Sequence, residues 1–253
     1  MIPSIRKRLF HAAQTLGYTV VPNWRVQRHP QTAYLQKLFA LMGTDCVLDV
    51  GANLGQYRDF VRDEVGFQGK IVSFEPIPAH AQAMRERAGG DPDWIIENCA
   101  LGAASGKATL NVMSSTTFSS FLQPKHSETR LFDASNEVRE RIEVQVKTLD
   151  DILPGLVKLH NVQSVYLKLD TQGFDLEVVR GAAQSMQRIR ALQTEASVRP
   201  IYEGMPHFST VLQELEAQGY KPSGIYPNND GHFPLLIEFD FHMINGRFYK
   251  ESV

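Results

Sequence analysis

The stretch Val47-Leu48-Asp49-Val50-Gly51-Ala52-Asn53-Leu54-Gly55 decides how this chain is read. A short apolar run ends in an acid and then breaks into two glycines four apart. Tyr57, Phe60, Val61 and Val65 follow at helical spacing. Buried strand, tight turn and helix in that order form the unit that binds nucleotide-like ligands in open parallel sheets. Gly51 and Gly55 are read as places where the backbone approaches a ligand that a Cβ would strike. About 20 residues past Gly55, the run Lys70-Ile71-Val72-Ser73-Phe74-Glu75-Pro76 ends in Glu75, an acid placed to hold both hydroxyls of a ribose.

The same residues narrow the ligand. A dinucleotide site uses G-x-G-x-x-G, so that a helix N-terminus receives the pyrophosphate. Here Asn53 stands at the middle glycine and no third glycine is in register. Asp49 would repel a phosphate. It suits a ligand with a cationic end, and S-adenosylmethionine carries an ammonium, a sulfonium and a ribose diol but no phosphate. A nicotinamide-dependent oxidoreductase is the rival reading, with Asn53 against it. A non-catalytic cofactor-binding scaffold is the third.

The alternation continues outward. Strand 46–50, helix 55–65, strand 70–75, helix 78–88 and strand 94–98 predict a parallel sheet with helices on both faces. Residues 105–147 break the rhythm and read as an insertion with antiparallel pieces, Lys107–Met113 and Ile142–Lys147, around the hydroxyl-rich loop Ser114–Ser120. A short helix starts at Leu149. Strand 163–169, helix 175–188, strand 190–195 and helix 207–218 resume the pattern, and strands near 221–226 and 235–244 read as an antiparallel pair that closes the sheet. Upstream, residues 1–43 read as an N-terminal helical segment, with a stripe of Ile5, Leu9, Ala12, Ala13 and Leu16 and a helix at 31–42. Residues 44–253 read as the main domain.

Composition sets outer limits. The chain has 253 residues, 43% hydrophobic and 21% charged, enough for one large core. A formal net charge of −2 gives no electrostatic case for nucleic acid. No apolar run approaches the length of a membrane span. Cys46 and Cys99 sit beside strand runs, without a C-x-x-C pair, and read as small buried hydrophobes. The expectation is a cytoplasmic protein, with the N-terminal stripe open to a homodimer contact or weak membrane contact.

Four acids fall at predicted strand ends: Asp49, Glu75, Asp170 and Glu195. Acids gathered at one edge are costly unless they bind something. In Val165-Tyr166-Leu167-Lys168-Leu169-Asp170, period-two alternation places Lys168 and Asp170 on one face. Asp170 is the first candidate for the chemistry, as a base toward an alcohol or as a ligand of a divalent cation that would lower the alcohol's pKa. Glu195 could be a second base or metal ligand, and Lys168 the charge partner of Asp170. At the third strand's end, Asn98 and Ala100 are placed to read an adenine edge. Ser119 is placed to line the pocket from the insertion.

These motifs resemble the FkbM-type methyltransferases. The resemblance lies in Asp49–Tyr57, Phe74-Glu75-Pro76, Asn98–Gly102, Ser119-Ser120, Lys168–Asp175 and Gln193-Thr194-Glu195, and runs from about residue 44 to 245. It implies a class I methyltransferase fold: a Rossmann-like, mostly parallel seven-stranded sheet with helices on both faces, an antiparallel closing strand and an inserted β/loop segment. It further implies methyl transfer from S-adenosylmethionine to a hydroxyl, with a sugar or a polyketide-like natural product as acceptor. An amine or carboxylate acceptor is the alternative. The expected cofactor set is Asp49, Gly51, Asn53, Gly55, Tyr57, Glu75, Pro76, Asn98, Ala100, Ser119 and Asp170, and the expected catalytic set is Asp170, Glu195 and Lys168.

Overall fold

The structure is a computed structural model that describes residues 12, 13, 15–127, 130–228 and 234–249. Ile5 and Leu9 of the N-terminal stripe lie outside the described residues. So does most of the turn between the last two strands.

The first described helix of length, α1 (His29–Met42), leads into β1 (Cys46–Val50) through Gly43, whose φ of 58° ends the helix in a left-handed cap. α2 (Gln56–Phe60) follows the glycine turn and continues as a π-helical turn, Val61–Val65. Then come β2 (Lys70–Phe74), α3 (Pro78–Ala88), β3 (Trp94–Glu97) and β4 (Ala100–Leu101). The insertion supplies β5 (Gly106–Met113) and β6 (Val138–Lys147). The chain returns through α4 (Leu149–His160), β7 (Val165–Leu169), α5 (Asp175–Arg180), β8 (Ile189–Ser197), α6 (Phe208–Ala217), β9 (Tyr220–Pro227) and β10 (Glu238–Asn245).

Seven strands form one sheet in the order β3-β2-β1-β7-β8-β10-β9, parallel except for β10, which is antiparallel to both neighbours. The insertion is a separate three-stranded sheet, β4-β6-β5. One sheet face carries Leu48, Val50, Leu167 and Leu169 against Leu149 and Leu153 of α4, Leu176 and Val179 of α5, and Val211 and Leu215 of α6. The other carries Val47, Ile71, Tyr166 and Ala191 against Leu35, Leu38, Phe39 and Met42 of α1, and Phe60, Val61 and Met84. Thus α1, placed by sequence in a segment before residue 44, shares the core of the main sheet. Both cysteines are buried free thiols. No helix among the described residues is long and apolar enough to cross a membrane.

Two elements differ from expectation. The short helix at 149 runs on to His160, because Thr148 caps it by accepting the Asp151 N–H at 3.1 Å and Leu149, Leu153 and Leu156 keep one face in the core. The helix expected over 175–188 stops at Arg180. A Cβ on Gly181 would stand 1.9 Å from the Gly102 carbonyl oxygen. The main domain and the insertion meet there, and the segment resumes only as the 3₁₀ turn Ser185–Gln187.

Candidate functional site: a cavity over the sheet's switch point

Strand order reverses direction between β1 and β7, so the loops after these strands part and leave a crevice at their carboxyl ends. The two loops touch at one point. Gly51 has φ 78°, and a Cβ there would sit 1.9 Å from the Asp170 carbonyl oxygen. Gly55, at φ 86°, would drive a Cβ to 2.7 Å from the Trp94 ring. Both glycines are therefore required by the protein's own packing. Gly51 still lines the cavity, whereas Gly55 does not.

Period-two alternation builds the floor in rows across the sheet. Ile71, Val47, Tyr166, Ala191 and Ile244 form an apolar row on β2, β1, β7, β8 and β10. Two residues nearer the edge, Ser73, Asp49, Lys168, Gln193 and His242 form a buried polar row. At the edge itself stand Glu75, Gly51, Asp170, Glu195 and Asp240.

The polar row is bonded within itself. Lys168 Nζ lies 3.0 Å from Asp49 Oδ1 and 3.3 Å from Asp170 Oδ2. Burial works against the lysine's charge, but Asp170 and Asp49 outweigh it and hold its pKa above the ordinary value. Ser73 Oγ donates to Asp49 Oδ2 at 3.2 Å and accepts from Trp94 Nε1 at 3.0 Å. Tyr57 donates its hydroxyl to Gln193 Oε1 at 3.0 Å, and its ring lies under the Lys168 ammonium at 5.2 Å. Asp49 is wholly buried and does not line the cavity, so any action on a ligand runs through Lys168.

Of this row, Glu75, Gly51, Asp170 and Asp240 line a cavity of about 670 Å³. At one end is Glu75. Its Oε2 accepts the Asn53 N–H at 2.7 Å and its Oε1 the Ile77 N–H at 2.8 Å. Burial pushes this carboxyl up to about 7, and the two N–H groups only partly offset that. Asn53 holds φ 49°, in the left-handed region asparagine tolerates, and its Oδ1 accepts from Thr116 Oγ1 of the insertion at 3.2 Å. Pro76, Ile77, Ala100, Leu101, Ser119 and Phe121 complete this end. Ser119 Oγ accepts the Met113 N–H at 3.3 Å. Asn98 does not line the cavity. Its Nδ2 donates to the carbonyls of Glu75 at 2.9 Å and Pro76 at 3.2 Å, so it pins the loop that carries Glu75 and does not itself read a ligand.

At the centre, Asp170 is half-exposed to the cavity, with Lys168 on Oδ2 and Gln172 Nε2 at 3.1 Å from Oδ1. Gln172 has φ 52° and joins three parts of the site. Its Nε2 donates to Glu195 Oε2 at 2.7 Å, its carbonyl accepts from Ser120 Oγ at 2.8 Å, and its Oε1 accepts the Tyr202 hydroxyl at 3.0 Å. Backbone strain of this kind persists where its surroundings over-determine it. Glu195 stands behind Gln172 and does not line the cavity, and Asn228 Nδ2 occupies its other oxygen at 2.7 Å. Burial, then the neighbouring acids Glu238, Asp170 and Asp240, raise its pKa. Direct contact of Glu195 with a reacting group is thus not what this arrangement offers. Among the described residues, no group of three or more His, Cys, Asp or Glu is placed to hold a metal ion.

Sequence reasoning missed Gln31, Gln193 and Asp240, all of which line the cavity. Glu238, Asp240 and His242 alternate with Phe239, Phe241 and Met243 along β10, and that polar face inside an apolar strand was the available signal.

The sheet order, with its antiparallel β10 and the cavity at the switch point, is that of the class I methyltransferase fold. Residues 49–222 match the methyltransferase FkbM domain, and the chain belongs to that family. No curated protein matches the sequence. Among solved structures, an FkbM methyltransferase from Methylobacillus flagellatus is 14% identical with a TM-score of 0.48; the match covers 78% of this chain and 43% of that one, so this chain spans less than half of that relative's length. Magnesium protoporphyrin IX methyltransferase from Synechocystis, with bound S-adenosylmethionine, is 8% identical with a TM-score of 0.46, over 96% of this chain and 92% of that one. Aeropyrum pernix fibrillarin, with natively bound S-adenosylmethionine, is 14% identical with a TM-score of 0.44, over 84% and 76%. These likenesses are too distant to carry over a residue role or a substrate.

Proposed function

We propose that this protein is an S-adenosylmethionine-dependent O-methyltransferase acting on a hydroxyl of a small acceptor such as a sugar or polyketide-like molecule. The observation that carries the reading is Glu75. Each of its oxygens takes one backbone N–H, and the carboxylate lines the cavity with acceptor capacity left for two hydroxyls of a ribose. Ala100, Leu101, Ile77 and Phe121 beside it offer an apolar slot for a flat base. When bound, the cofactor supplies an electrophilic methyl group.

The chain's own residues then have three tasks. Lys168 and Gln172 fix Asp170 in one orientation. Asp170 orients the acceptor hydroxyl and accepts its proton, or hands that proton to solvent. The insertion loop, tied to Asn53 through Thr116 and to Gln172 through Ser120, walls the cavity from water. The reading requires no metal ion. The test is transfer of a radiolabelled methyl group from S-adenosylmethionine to a panel of hydroxylated metabolites by wild type and Asp170→Asn. The variant is expected to keep S-adenosylhomocysteine binding and lose transfer by on the order of 10²-fold or more. Near-wild-type turnover would remove Asp170 from the chemistry.

A further inference from the structure

The family match spans residues 49–222, but the cavity extends beyond it. The Glu75 end is lined from inside the matched region. The opposite end is lined by Gln27, Arg28 and Gln31 before that region and by Tyr226, Asn228 and Asp240 after it. Gln31 Nε2 donates to Asp240 Oδ2 at 2.7 Å and so clasps the two flanks together. The clasp is anchored beneath. Gln31 Nε2 lies 3.3 Å from His242 Nε2, and His242 Nδ1 lies 2.9 Å from the Tyr166 hydroxyl. Burial pushes His242 down to about 3, so the ring stays neutral and the clasp keeps its form around neutral pH.

Inside the rim, where Arg28 is the exposed cation, the charged groups at this end are two carboxylates and the shared ammonium of Lys168. Asp170 and Asp240 both face the cavity, and the inward ammonium of Lys168 is already shared between Asp49 and Asp170. Arg28 is exposed at the rim, with its guanidinium 5.8 Å from the centre of the Phe60 ring. An anionic acceptor would meet two carboxylates and no unshared cation in the interior. Meanwhile the amides of Gln193 and Asn228 and the ring of Tyr226 offer hydrogen bonds and an apolar face, a combination that a hydroxylated ring satisfies.

We propose that the acceptor binds between these two flanking segments, and that they admit an uncharged hydroxylated ring and reject an anionic one. This rests on the methyltransferase reading above. It assigns acceptor choice to residues 27–31, residues 225–228 and Asp240, leaving donor binding to the family domain.

The test uses the full chain saturated with S-adenosylhomocysteine and saturation-transfer NMR with two probes: methyl glucoside and methyl glucuronide. The glucoside is expected to give signal and the glucuronide none. Asp240→Asn, which is isosteric, and Gln31→Ala should each lower the glucoside signal roughly fivefold or more, as loss of one hydrogen bond does, with S-adenosylhomocysteine affinity unchanged. A glucuronide signal as strong as the glucoside's, no signal from either probe, or unchanged signal in both variants would overturn the proposal. If wild type failed to bind S-adenosylhomocysteine, the functional reading itself would fall instead.

Discussion

Glu75 is held nearly dry, and its burial has opposite consequences for the empty and the filled site. The folded chain binds this carboxyl's proton more tightly than the unfolded chain does, with a pKa of about 7 against an ordinary 4.5. The group therefore contributes stability below pH 4.5 and loses that contribution as pH rises through about 7. A ribose diol donates hydrogen bonds and so selects the ionised form. Affinity for S-adenosylhomocysteine should accordingly rise roughly tenfold between about pH 6 and about pH 8, the change in ionised fraction across that window. Calorimetry at several pH values checks this, and a flat profile would take the ribose role from Glu75. Beside it, the Lys168–Asp49 pair makes a separate claim. Lys168→Met leaves Asp49, wholly buried, without its cation. The expected loss is about 3–5 kcal/mol in urea unfolding, with part restored by adding Asp49→Asn. Equal stability of wild type and Lys168→Met would mean that the pair carries no net load.

Elements were legible in the sequence where a periodic pattern met a local stop signal. β1, β2 and α3 fall within a residue of their expected bounds because an apolar run and a glycine or proline mark each one. The helix expected over 175–188 failed because its obstacle is not local. Gly181 is shaped by the Gly102 carbonyl, which follows β4 and leads into the insertion. The φ of Gly181 is −77°, a value any residue adopts, so the position tests packing alone. Gly181→Ala should cost about 3 kcal/mol of stability through overpacking against backbone, read from denaturant midpoints. An unchanged midpoint would show that the insertion can move away from α5 at little cost. Asn98 teaches the same lesson for the site. Its position at the end of β3 was readable, but the direction of its amide, toward the Glu75 and Pro76 carbonyls, depends on a neighbouring loop.

Across the whole molecule, the half of the site that could be read is the half built from consecutive β-α units. Gly51, Glu75 and Asp170 follow parallel strands and Asp49 stands one row behind them, so alternation alone places them. The other half needs the position of β10 in the sheet and the docking of α1. Asp240 and Gln31 meet across 209 residues, and no local pattern signals such a contact. Polarity rises row by row toward the carboxyl edge, from Val47 and Tyr166 through Asp49 and Lys168 to Gly51 and Asp170. A rigid, fully bonded floor thus sits beneath an edge whose carboxylates keep capacity for a ligand.

The central claim is that this edge holds S-adenosylmethionine and not a dinucleotide. Calorimetric titration with S-adenosylhomocysteine tests it most directly, with NAD as control and with EDTA present or absent. Binding of S-adenosylhomocysteine alone, unchanged by EDTA and weakened at least about tenfold in Glu75→Ala through loss of two hydrogen bonds to a charged group, is the predicted result. Binding of NAD alone, or of neither ligand, would contradict it.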